Sequence, residues 1–94
     1  MIIGGLTLQL RLPMSHSLKD KRSIVKSVVA RLRNEFNVSV AEVAEQDRRQ
    51  LAVIGVACVA GEGNHARQQL QAVIDWVYDN RPDVDVIQTD IELL

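Results

Sequence analysis

Aromatic residues are nearly absent. Phe36, Trp76 and Tyr78 make up 3% of the chain, so the core must be aliphatic and no row of rings exists on which nucleobases stack. Cysteine occurs once, at Cys58, which excludes an internal disulfide and a multi-cysteine zinc site. A reduced, cytoplasmic protein is the expectation. No apolar run approaches the ~18–20 residues of a membrane-spanning helix, so no membrane partner is expected. Met1-Ile2-Ile3-Gly4-Gly5 carries no basic stretch ahead of an apolar one, and no secretory signal peptide is expected. Two prolines and five glycines leave few breaks, and no repeat, linker or low-complexity tract interrupts the chain. With 94 residues, a single domain over residues 1–94 is expected. Apolar residues at 47% suffice for a packed core and argue against disorder.

Catalytic signatures are missing as well. His16 and His65 are the only histidines, and no His-x-x-x-His, Cys-x-x-Cys or Gly-x-Ser-x-Gly occurs. Gly61-x-Gly63 is too short for a dinucleotide fingerprint and reads as a turn before a helix. Cys58 lies in an apolar strand, the setting of a structural thiol rather than a nucleophile. Asp83, Asp85, Asp90 and Glu92 are spread along one strand, where carboxylates discourage edge-to-edge pairing. They also offer oxygen donors to a hard cation, the weaker reading. His16 beside Lys19 and Arg22 is the one arrangement suited to acid–base work on a phosphorylated metabolite, and nothing orients its ring. The expectation is a non-enzyme with no catalytic residue, no metal and no cofactor.

What the chain does have is charge segregation. Residues 1–50 hold nine Lys/Arg and five Asp/Glu, a net of +4, whereas residues 51–94 hold two and seven, a net of −5. The overall charge of −1 argues against a general nucleic-acid coat and leaves room for a local basic face.

Along residues 2–12, Leu6, Leu8, Leu10 and Leu12 alternate with Thr7, Gln9 and Arg11, the period of a strand with one buried face, and Pro13 ends it. Ser17 can cap a helix whose first turn carries Asp20. From Leu18, residues Ile24, Val25, Val28, Val29, Leu32 and Phe36 form one helical stripe, with Asn34 or Asn37 as its exit. Residues 37–46 and 50–60 read as strands joined by the polar, loose connection 45–50, which lacks the signal of a tight hairpin. Leu51–Ala60 is almost continuously apolar, as in a central strand buried on both faces. Asn64 can cap a second helix with Ala66, Leu70, Val73 and Val77 on one side, and Arg81-Pro82 stops it. Val84 to Ile91 form a last strand. Strand, helix, strand, strand, helix, strand is the split βαβ order of an α+β ferredoxin-like sandwich, a four-stranded antiparallel sheet with both helices on one face.

The strongest functional signal lies on the first helix. At about 100° per residue, Lys19, Arg22, Lys26 and Arg33 fall in one narrow stripe beside the apolar face, with no acidic residue inside it. Like charges at i,i+4 repel by a few tenths of a kcal/mol. A solubilising helix face is one reading; a track for phosphates is the other, extended by Arg11 at the end of the first strand and by His16 before the helix. The open sheet face, read as Thr7, Gln9 and Arg11 with Ile54, Val56 and Cys58, has nothing for bases to stack on. An apolar centre there is a candidate for self-association. A one-residue slip in the reading would exchange the faces.

The segments Ser15-His16-Ser17-Leu18-Lys19-Asp20-Lys21-Arg22 and Phe36-Asn37-Val38-Ser39-Val40-Ala41-Glu42-Val43 resemble the DUF503, or YlxP-like, family of small bacterial proteins of unknown function. The resemblance runs over nearly the whole chain. It implies a ferredoxin-like fold. Genes of that family often lie near those for translation initiation factor two and ribosome-binding factor A, which implies a place in ribosome assembly or translation. No established catalytic residues come with it. Two functions are therefore expected: an RNA- or ribosome-binding module using the basic stripe, or a homodimerising interaction module using the open sheet face.

Overall fold

Alternation places Gly4, Leu6, Leu8 and Leu10 of the first strand, β1 (Ile2–Arg11), on the buried side and Ile3, Gly5, Thr7, Gln9 and Arg11 on the other. The computed structural model describes all 94 residues. Helix α1 (Leu18–Glu35) starts where expected: the Ser17 side chain accepts from the Asp20 N–H at 3.0 Å. Asp20 reaches back to the His16 N–H at 3.0 Å, one residue earlier than the usual reciprocal box. The helix ends at Glu35 with Phe36 as its cap, so neither Asn34 nor Asn37 terminates it. Strands β2 (Ser39–Ala44) and β3 (Leu51–Ala60) follow, joined by a loop in which Glu45 alone among non-glycine residues has a positive φ, of 62°. Helix α2 (Gly63–Asn80) begins one residue before Asn64. Its capping position is Glu62, which makes no side-chain cap hydrogen bond. The expected Asn64 cap is therefore absent, because that residue already lies inside the first turn. Strand β4 (Asp85–Leu93) closes the chain.

The sheet order is β2-β3-β1-β4, antiparallel throughout, which with the two helices gives the α+β ferredoxin-like architecture. Leu6, Leu8 and Leu10 of β1 meet Val25, Val28 and Leu32 of α1 and Leu70, Val73 and Val77 of α2 in one continuous core. Helix α2 sits close on the sheet at Gly4, where a Cβ would fall 3.0 Å from Leu70 Cδ1 and 3.1 Å from Cys58 Sγ.

Strand β3 is central, as its composition suggested, but it is not buried on both sides. Ala52, Ile54, Val56 and Cys58 face the core, and Val53, Gly55, Ala57 and Val59 face outward. Ile54, Val56 and Cys58 are thus not open-face residues. Both parities of this strand are apolar, so composition could not distinguish them; pairing with β1, whose leucines are unambiguous, sets the register. No helix is long and apolar enough to cross a membrane.

Candidate functional site

The six residues singled out from the sequence divide between two places. Lys19, Arg22, Lys26 and Arg33 are solvent-exposed on one flank of α1. That flank is located by two contacts. The Arg31 guanidinium lies over the Trp76 ring of α2, 5.2 Å from its centroid, which marks the side turned toward α2. Arg33 donates to the main-chain oxygen of Val40 at 2.7 Å, which marks the side turned toward β2, an edge strand. The basic flank therefore runs along the β2 edge of the domain. The four ion pairs of the chain are Arg11–Asp85, Lys21–Glu42, Arg48–Glu45 and Arg81–Asp83. Lys19, Arg22 and Lys26 have no carboxylate partner. The acidic residues Asp90 and Glu92 lie on β4, at the opposite edge of the sheet, so they do not neutralise the flank. The charge split along the sequence becomes a split across the domain.

Arg11 and His16 are elsewhere. Arg11 is on the open side of the sheet, where its Nη2 is 3.2 Å from Asp85 Oδ2. With Ser15, His16, Arg48, Arg49, Gln50 and Leu51 it lines a pocket of about 480 Å³ at the loop end of the sheet. Arg11 and His16 thus share a pocket that the four α1 cations do not line. Arg48 and Arg49 were legible only as part of a polar connection, because the β1–α1 loop that meets them is distant in sequence.

Two cations are structural. Lys21 is buried among the core residues of α1, its ammonium 3.0 Å from Glu42 Oε2 and donating to the main-chain oxygen of Glu45. Arg81 forks onto both oxygens of Asp83 at 3.0 and 2.8 Å and donates to Ser27 Oγ at 2.7 Å, tying the end of α2 to α1. These hydrogen bonds, and the charge of Arg81, hold the Asp83 carboxyl below its ordinary range, although burial opposes the shift.

The open sheet face is the third feature. Gly5, Gly55, Ala41 and Ala57 have small or no side chains and leave a shallow concavity of about 420 Å³, bordered by Val43 on β2 and by Asp90 and Glu92 on β4. Val43 and Val59 are more than half exposed.

A family model described as "Protein of unknown function (DUF503)" matches residues 3–91. The chain belongs to the DUF503 family. The DUF503 match runs from β1 into β4 and so takes in the helix flank, the loop-end pocket and the sheet face together. An uncharacterized protein, YlxP, of Bacillus subtilis (strain 168) is 35% identical over 69 residues, 73% of this chain and 74% of that protein.

Proposed function

We propose that this DUF503 protein is a non-enzymatic, cytoplasmic RNA-binding module that associates with ribosomal RNA or its particles through the flank of α1. The observation that carries the reading is the unpaired state of Lys19, Arg22 and Lys26, exposed in one row, with the one carboxylate of the adjacent strand β2, Glu42, already paired with the buried Lys21. Side chains at this spacing release counterions when they meet phosphates, which is the main source of sequence-independent affinity for nucleic acid. With three aromatic residues in the chain, binding is led by charge and shape, not by base stacking. Arg33 contributes its charge from a fixed position, because one of its N–H groups is held on Val40.

Filter binding of a structured RNA across a salt series tests the reading. Three phosphate contacts give a log–log slope of about −2 to −3, and Arg22→Ala with Lys26→Ala reduces it by about 1.5–2. Affinity that is insensitive to salt, or absent at micromolar protein, overturns it.

A second reading rests on the open sheet face: self-association through the apolar concavity between β2 and β4. In a pair of copies, the basic α1 flank of one and the acidic β4 edge of the other are complementary and steer docking. Sedimentation over a range of concentrations tests it, and a monomer throughout overturns it.

A further inference from the structure

Two loops are stitched together at the end of the sheet where β1 leaves it. The Leu12 N–H donates to the Gln50 main-chain oxygen at 2.9 Å, Gln50 Nε2 donates to the Ser15 main-chain oxygen at 3.0 Å, and the buried Ser15 hydroxyl donates to the Ser17 main-chain oxygen at 3.1 Å. The walls of the pocket between these loops are therefore held before any ligand arrives, which lowers the ordering cost of binding.

Three arginines line that pocket, and no carboxylate does. Their donors are largely free. Arg11 places Nε and one Nη2 hydrogen on a single oxygen of Asp85, at 3.4 and 3.2 Å, which leaves three of its five N–H groups. Arg48 is 3.6 Å from Glu45 with no hydrogen bond between them, and Arg49 makes no side-chain hydrogen bond or ion pair. The side chain of His16 is also without a partner. Planar guanidinium groups match the oxygens of a phosphate two at a time. A volume of about 480 Å³ lies within the ~300–1,000 Å³ of small-ligand sites. Leu51 is the one apolar residue of the lining, so charge, not a base or an alkyl chain, selects the ligand.

We propose that this pocket binds a phosphate monoester or diphosphate group, borne on the end of an RNA strand or on a free nucleotide. The site goes beyond the α1-flank reading and shares no residue with Lys19, Arg22, Lys26 or Arg33.

The test is an amide chemical-shift titration of the full chain with inorganic pyrophosphate. Saturable shifts are expected at Ser15, His16, Arg48 and Arg49. Arg49→Ala, on an exposed loop position, weakens binding about tenfold, the effect of one charge-assisted contact. The paired variant Arg22→Ala with Lys26→Ala leaves pyrophosphate binding unchanged. Two further arms separate the sources. If RNA with a phosphorylated end binds about tenfold more tightly than the same strand with a hydroxyl end, and Arg49→Ala removes the difference, the pocket holds an RNA terminus. If the two strands bind alike while a nucleoside diphosphate saturates the pocket, the ligand is a free nucleotide. No saturable shift at millimolar pyrophosphate, shifts confined to α1, or an Arg49→Ala titration equal to that of the parent overturns the proposal. An α1 variant that keeps the parent's full salt slope while the pocket still titrates overturns the α1-flank reading alone; an α1 variant that loses its salt slope while the parent shows no saturable pyrophosphate shift overturns the pocket alone.

Discussion

The ammonium of Lys21 lies 3.0 Å from Glu42 Oε2 inside the core, with the lysine side chain 1% exposed. Its directed hydrogen bond goes to the main-chain oxygen of Glu45, and Glu42 Oε2 receives charge without an aligned hydrogen bond. The pair fastens the first turns of α1 to the end of β2 and to the loop residue with positive φ. Removing one member leaves the other charged and largely out of water, the costly case.

Lys21→Met is therefore expected to destabilise the domain by about 3 kcal/mol, the low end of the range for broken buried pairs, because Glu42 is one-fifth exposed. The double variant Lys21→Met with Glu42→Leu should recover a good part of that loss. Urea denaturation midpoints at constant slope check both values. A single variant as stable as the parent removes the pair from the account of the fold.

Asp83 carries the acid sensitivity that the structure assigns. Its folded-state carboxyl is more acidic than an ordinary aspartate, first through the hydrogen bonds from Arg81 and then through the charge of that residue. A depressed folded pKa stabilises the native state above the unfolded value of 3.8. That contribution falls as pH drops through this value and is gone below the folded pKa. Asp83→Asn keeps one acceptor and loses the charge, costing about 1 kcal/mol near neutral pH once partial solvent exposure is allowed for. The gap between parent and variant should close below about pH 4. Thermal unfolding followed from neutral to acid pH checks it, and a gap that widens on acidification contradicts it.

Gly4 shows how closely α2 approaches the sheet. Gly4→Ala puts a methyl 3.0 Å from Leu70 Cδ1, 3.1 Å from Cys58 Sγ and 3.3 Å from Ala66 Cβ, all fully packed side chains. The expected loss is about 1–3 kcal/mol, as for overpacking elsewhere. Gly5→Ala, whose nearest neighbour is the Glu92 main-chain oxygen at 4.0 Å, should be close to neutral. Comparing the two denaturation midpoints separates crowding from the general effect of replacing a strand glycine.

Sequence legibility followed the sharpness of the local signal. The leucine alternation of β1 and the Ser17 cap named their elements because only one parity, or one residue, fitted. The α1 cations kept their angular relation because helix geometry is local. Strand β3 hid its open face, since Val53, Ala57 and Val59 are as apolar as Ile54 and Val56. Lys21 sits at a core angle of the helix, but a lysine there announces burial only when Glu42 and the Glu45 main-chain oxygen are beside it. The loop-end pocket was the least legible feature, because Arg48 and Arg49 meet Arg11 and His16 only after two separate loops are joined through Leu12 and Gln50.

Lys26 separates a binding role from a structural one. It has no ion pair, stands four residues after Arg22 on the same flank, and is exposed. Two like charges at this spacing cost a helix about 0.2–0.5 kcal/mol. Lys26→Glu turns that repulsion into attraction, so the variant should unfold at an equal or slightly higher temperature than the parent. RNA affinity in the same variant should fall, and its salt slope should shrink by about 1 or more as a phosphate contact is replaced by a repelling carboxylate. Stability that rises while binding falls marks a residue kept for what it touches outside the molecule. If both quantities stay at the parent's values, the flank is a solubilising surface and the RNA reading loses its main support.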